Sequence, residues 1–241
     1  MGIADTYFPK DMVVKLAEVA KADTFIETGT YYGRTAKWAS TQFKRVYTIE
    51  LSESLFNETK DELLSKGNIF PYLGDSRNVL PEMLKSINGN TIFWLDGHYS
   101  AGVTAGKYDP CPLLKELEII LKRNNEDIIL IDDARCLLGS VGWPSIYQLY
   151  KKVETTSVEN KFIMLCDDNI YIVPDQDRFK EPLLQYSLER NAILWKQDYE
   201  IRNAKEKKKK KTKEIIGNIL KKARLYEFAR SIYRRSIKRE K

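Results

Sequence analysis

One stretch constrains this chain more than any other: Asp23-Thr-Phe-Ile-Glu-Thr-Gly-Thr-Tyr-Tyr-Gly-Arg-Thr35. A short apolar run from Thr24 to Ile26 ends in Glu27, a turn containing Gly29 and Gly33 follows, and a helical pattern runs from Thr35 to Phe43. Strand, tight turn and helix in that order form the first unit of a nucleotide-binding α/β domain. Gly29 can take the φ angles of a sharp turn, and Gly33 lets the helix start lie close to the strand and to a ligand. The first N–H groups of the helix then point at whatever sits above the sheet. The turn lacks the G-x-G-x-x-G spacing of a dinucleotide site and the G-x-x-x-x-G-K of a phosphate loop. An acid at its head suits a cationic ligand better than a pyrophosphate. On these residues alone, the competing reading is an ordinary βα turn with no ligand.

The rest of the chain repeats the pattern. Pro9 to Ala22 reads as a leading helix, with Met12, Val13, Leu16, Val19 and Ala20 at helical spacing. Val46–Glu50 is a second strand, and Ser52 is placed to cap the next helix. Ile69–Leu73 is a third strand, set at an edge by Pro71, and a helix from Val79 to Ile87 follows it. Thr91–Leu95 and Ile128–Ile131 are fully apolar fourth and fifth strands, each with a helix behind it. Lys161–Cys166 and Ile170–Val173 flank Asp167-Asp-Asn169 as a β-hairpin. Continuous apolar strands imply a parallel sheet covered on both faces. The expected fold is therefore α/β, a doubly wound, mostly parallel seven-stranded sheet with a C-terminal hairpin.

In such sheets ligands lie outside the carboxyl ends of the strands. Glu27, Glu50, Asp75, Asp96, Asp132 and Asp133 all fall there. Helix capping is the bland explanation and suits Asp75 and Asp96; it accounts poorly for Glu50 and the Asp132-Asp133 pair. Packed carboxylates repel unless a cation is present, so a cationic cofactor, a divalent metal or both are the simplest guests.

These residues carry a resemblance. Glu27-x-Gly29-x-Tyr31-x-Gly33-x-Thr35 resembles the first motif of class I S-adenosylmethionine-dependent methyltransferases, and Tyr31 in place of a middle glycine is similar to the metal-dependent catechol-type and macrocin-type O-methyltransferases. The likeness spans about residues 20–175. It implies an S-adenosylmethionine site made of Glu27, Thr28, Gly29, Thr30, Tyr31, Gly33 and Thr35, with Glu50 on the ribose hydroxyls and Leu51 beside it. Asp75 and Ser76 would flank the adenine, and Asp96 would close the site. It also implies Mg²⁺ or another divalent cation on Asp96, Asp132 and Asp133, where oxygen ligands suit a hard ion. The metal would bind a substrate hydroxyl and lower its pKa. The lysine that the catechol type carries shortly after its first metal aspartate is absent here, where Ser100 stands. His98, the single histidine, is the candidate proton acceptor beside Asp96; a structural histidine in the same loop is the alternative. Arg135 either binds an anionic substrate group or pairs with a neighbouring acid. Tyr99 to Pro112 is long for a βα loop and is read as a substrate lid or a surface excursion.

Charge divides the 241 residues. Residues 203–241 hold 16 Lys+Arg and 4 Asp+Glu, a net of +12, which leaves 24 and 30, a net of −6, for residues 1–202. The expected domains are accordingly 1–202, the methyltransferase domain, and 203–241, a basic amphipathic tail. Lys207 to Lys211 is a run of lysines, and Ile215, Ile216, Ile219, Leu220, Ala223 and Tyr226 recur behind it at helical spacing. This pattern suits an anionic membrane surface, engaged through 205–241. A protein partner, including a second copy, or a solvated end are alternatives; nucleic acid is disfavoured because the core is acidic. No apolar run approaches the roughly 20 residues of a membrane span, and the N-terminus lacks a signal-peptide core. Cys111, Cys136 and Cys166 form neither a disulfide framework nor a zinc pattern. A cytoplasmic enzyme, peripheral at the inner membrane face, is expected, acting on a hydroxyl of a sugar in a bacterial surface polysaccharide or its lipid-linked precursor; a natural-product O-methyltransferase and a non-catalytic S-adenosylmethionine-binding module are the alternatives.

Overall fold

The structure is a computed structural model that describes residues 8–97 and 111–237. Among the described residues seven strands form one sheet in the order β3-β2-β1-β4-β5-β7-β6. They are β1 (Thr24–Thr28), β2 (Arg45–Glu50), β3 (Ile69–Leu73), β4 (Thr91–Leu95), β5 (Ile128–Ile131), β6 (Lys161–Cys166) and β7 (Asn169–Pro174). β1 to β5 pair in parallel, and β7 runs antiparallel to both β5 and β6. This is the doubly wound, mostly parallel seven-stranded sheet with a C-terminal hairpin that the order of elements implies. The strand order reverses between β1 and β4, which opens a crevice at their carboxyl ends.

Every residue of β1, β4, β5 and β7 is buried, as a sheet covered on both faces requires. One cover consists of α1 (Lys10–Ala20), α2 (Arg34–Ala39), Leu63 of α3 (Glu53–Leu64) and the first turns of α7 (Asp177–Ile237), which bury Phe179 and Leu183. The other consists of α4 (Ser76–Leu84), α5 (Leu113–Ile120) and α6 (Ile146–Thr156). β3 lies at the sheet edge, where Pro71 costs no interior ladder bond, and only its first residue is buried.

Element ends follow side-chain chemistry. The Ser52 hydroxyl accepts from Leu55 N–H and starts α3. Asp75 does the same for Arg77 N–H, so α4 begins at Ser76, three residues before the expected Val79. α2 stops at Ala39, short of the expected Phe43, because the Ser40 and Thr41 hydroxyls donate back to the carbonyls of Lys37 and Trp38. β1 runs on to Thr28, so Glu27 stands inside the strand and not after it.

The chain divides into two units, Met1–Leu188 and Glu189–Lys241, whereas composition places the change at residue 203. In the second unit the expected helix, charge run and final helix are one helical element, part of α7. Lysine is a good helix former, so its run does not break the helix. Trp195 and Tyr199 are exposed there, as are Ile215, Ile216 and Ile219. No helix among the described residues is long and apolar enough to cross a membrane.

Candidate cofactor site at the carboxyl edge

The site grows from the β1 turn. Gly29 has φ +87°, and a Cβ there would lie 2.3 Å from the Asp96 carbonyl oxygen. Only a glycine lets the turn pass this close to the end of β4. The amides of Gly29 and Thr30 donate to the Ile49 carbonyl at 2.9 and 3.3 Å, and Asp96 N–H donates to the Thr28 carbonyl at 3.1 Å. The Thr30 and Thr48 hydroxyls share a 2.6 Å hydrogen bond. These bonds tie the ends of β1, β2 and β4 into one rim. Gly33, φ +65°, is the N-cap of α2; a Cβ there would meet Leu63 Cδ2 at 2.7 Å. Thr35 sits half-buried in the first turn of that helix.

Two carboxylates dominate the rim. Glu50 is buried, with Oε2 accepting from Tyr31 N–H and Oε1 from Ser52 N–H, both at 2.8 Å. Each oxygen retains acceptor capacity beyond that one bond. Tyr31 is held in the left-handed region, φ 49°, and its side chain is half exposed beside Tyr32. Leu51, next to Glu50, is exposed as well. Glu27 is 2% exposed and its Oε2 has no hydrogen-bond partner. Burial, then the neighbouring Asp96 carboxylate, push the Glu27 carboxyl well above its usual range; the Thr48 hydroxyl opposes the shift and Glu50 adds to it.

Asp75 and Ser76 occupy the β3–α4 corner. The Arg77 guanidinium beside Asp75, 2.6 Å away, holds that carboxyl below its usual range. Ser76 is buried. Beside it lies a residue that sequence reading missed. Glu116 of α5 is 1% exposed, and its Oε1 and the nearby Thr28 Oγ1 both lack partners. Burial pushes the Glu116 carboxyl up to about 7, Ser76 and Thr28 hydroxyls pulling the other way. Its signal was present in the sequence: a lone acid inside the apolar stripe Leu113, Leu117 and Ile120.

Two of the three expected metal ligands, Asp132 and Asp133, meet protein partners in the structure. Among the described residues no group of three His, Cys, Asp or Glu is placed to hold a metal. Asp133 takes the left-handed conformation, φ 54°, and its carboxylate pairs with Arg135 at 2.7 Å. The same guanidinium pairs with the buried Asp168 in the hairpin turn, and Asp168 Oδ1 accepts from Arg135 N–H at 2.9 Å. Asp132 Oδ1 accepts from Asp133 N–H at 2.8 Å. The Arg135 guanidinium therefore supplies positive charge to Asp133. His98 and all of the loop Tyr99 to Pro112 except Cys111 and Pro112 lie outside the described residues.

No family model matches the chain, and no curated protein matches it. Among solved structures it is similar to the O-methyltransferase TomG of Streptomyces achromogenes, solved with SAM, at 15% identity over 71% of this chain and 82% of that one, with a TM-score of 0.45. It is similar to SMU.1697c of Streptococcus mutans, a putative methyltransferase solved with SAH, at 17% identity over 70% and 98%, TM-score 0.47. A putative O-methyltransferase of Klebsiella pneumoniae matches at 14% identity over 73% and 84%, TM-score 0.46. At these values the likeness carries neither a substrate nor a residue role across to this chain.

Proposed function

We propose that the chain is an S-adenosylmethionine-dependent O-methyltransferase acting on a hydroxyl. The observation that carries this reading is Glu27, a buried carboxylate with an unpartnered oxygen, beside Asp96 and Glu50 at the point where the strand order reverses. Such a site is costly when empty and favours a cation. The residues present fit a cofactor with an ammonium, a ribose and a purine. Glu27 and Asp96 take its charged end, Glu50 uses its remaining lone pairs on the ribose hydroxyls, and Leu51, Asp75 and Ser76 line the purine. When bound, the cofactor supplies an electrophilic methyl for the acceptor oxygen. The chain's own contribution is to hold that end rigidly: the Gly29 contact with Asp96 and the Thr30–Thr48 hydrogen bond leave the rim little freedom. Calorimetry with S-adenosylhomocysteine, followed by label transfer from methyl-labelled cofactor to candidate acceptors, tests the reading. Binding of NAD in place of S-adenosylhomocysteine would overturn it.

The acceptor proposal comes from the second unit. Residues 203–241 carry a net +12, and the described side chains of Lys207 to Lys211 are exposed on a helix. Each cation near an anionic surface contributes about 1 kcal/mol, and the exposed Ile215, Ile216 and Ile219 add apolar burial. An enzyme for a soluble small molecule gains nothing from that position, whereas one acting on a lipid-linked glycan does. We therefore assign the acceptor as a sugar hydroxyl of a bacterial surface polysaccharide or its lipid-linked precursor, methylated at the cytoplasmic face of the membrane. Sedimentation with anionic liposomes should pull down the full chain and leave a version ending at Asn203 in the supernatant. If both stay in the supernatant at low salt, the glycan assignment loses its basis.

A further inference from the structure

Glu116 has no place in the site as described so far. It occupies a core position of α5, between Leu113 and Leu117, where an apolar residue would pack without cost. Its carboxyl stands where three parts of the rim meet: Thr28 at the end of β1, Gly97 after β4, and Ser76 at the start of α4. A Cβ on Gly97 would come within 3.0 Å of Thr28 Oγ1 and 3.4 Å of Glu116 Oε1, so glycine leaves both atoms their room. Beside them is a crevice of about 10 Å³, lined by Leu95, Gly97, Cys111, Glu116, Ile131 and Trp143. That is space for about one water centre.

We propose that Glu116 is a positioning residue for the cofactor site, a buried acid set between the β1 turn, Gly97 and Ser76 whose neutral form the bound cofactor favours. The inference rests on the cofactor reading above. As the neutral acid, Glu116 has one O–H to donate, and Thr28 Oγ1 is an unpaired acceptor beside it. As the carboxylate it can only accept, from the Ser76 and Thr28 hydroxyls, and burial in a crevice that admits little water outweighs what they return. The charged groups facing it come from the start of α4, where Asp75 disfavours its ionisation and Arg77 favours it; β1 and β4 present the Thr28 hydroxyl and the Gly97 backbone. Cys111 is the other titratable group on the crevice. An uncharged purine lying over Ser76 dries this floor further and so favours the neutral acid. By linkage, cofactor affinity falls as Glu116 ionises, and the carboxyl titrates at about 7.

The test is calorimetry of S-adenosylhomocysteine binding to the full chain across the neutral range, for wild type, E116Q and E116D. Glutamine keeps the size and the hydrogen-bonding capacity but cannot ionise. The ratio of E116Q to wild-type affinity should be close to one on the acid side and rise by about tenfold on the alkaline side. E116D, still ionisable, should retain a pH-dependent deficit against E116Q. A ratio that does not change with pH, or an E116Q affinity already lost on the acid side while its unfolding midpoint matches wild type, overturns the proposal and leaves the cofactor reading intact. Failure of wild type to bind at any pH overturns both.

Discussion

Replacing Glu27 by glutamine should move two measurements in opposite directions. Glu27 is 2% exposed, and burial together with Asp96 raises its pKa well above the ordinary 4.5. The folded state therefore holds that proton more tightly than the unfolded chain. The resulting stabilisation is complete below about 4.5, the unfolded value, and is lost as pH rises through the folded one. At alkaline pH wild type carries a buried carboxylate with an unpartnered oxygen, at a cost of roughly 1–3 kcal/mol. E27Q removes the charge while keeping the shape, so without cofactor it should be more stable than wild type by that amount at pH 8 and equal to it at pH 4. The same change deletes the partner of the cofactor's cation. A hydrogen bond to a charged group contributes about 1.5–3 kcal/mol, or roughly ten- to a hundredfold in affinity. Urea unfolding at the two pH values and calorimetry with S-adenosylhomocysteine read both effects on the same preparations. Binding by wild type should also release a proton wherever free Glu27 is protonated, visible as a dependence of the heat on buffer ionisation enthalpy. An E27Q protein that binds as well as wild type, or is less stable at pH 8, refutes the reasoning.

G29A should destabilise by about 2–5 kcal/mol, summing a left-handed backbone and an overpacked contact, and abolish S-adenosylhomocysteine binding; G67A, at φ +80° with nothing within 4 Å of the added Cβ, should cost only about 1 kcal/mol in the same unfolding assay. R135A strips Asp168, whose side chain is 3% exposed, of its cation and should cost roughly 1–3 kcal/mol, largely recovered by adding D168N. Prolonged EDTA treatment should leave both the unfolding midpoint and S-adenosylhomocysteine affinity unchanged, because Arg135 supplies the positive charge at Asp133; a loss that Mg²⁺ restores would refute that assignment.

What the sequence showed and what it hid divide along physical lines. Sheet membership was legible because β4 and β5 are continuous apolar runs, and Pro71 marked the edge strand. The turn was legible because a close backbone approach admits little besides glycine at 29. Helix ends were misplaced by a few residues where local hydroxyls compete for backbone groups, as at Ser40 and Thr41. The partners of charged residues were hidden. Arg135 meets Asp168 from 33 residues away, and nothing local announces it. Glu116 showed only as a polar interruption of an apolar stripe; its neighbours on β1, β4 and α4 come from register and topology.

The acids along the carboxyl edge differ in the fold in a way that their pattern does not show. In sequence they look alike, one at or near the end of each strand. In the fold each meets a different answer to its charge. Asp75 caps α4 and pairs with Arg77. Glu50 takes two backbone N–H groups. Asp133 turns to Arg135. Each of these three is balanced by the protein itself. Glu27 differs: it is the most deeply placed, it is raised further by Asp96, and one of its oxygens meets no donor. An unanswered charge is thus concentrated on one carboxylate at the switch point of the sheet, and on the proposed reading that is where the cationic end of the cofactor would lie, across β1 and β4.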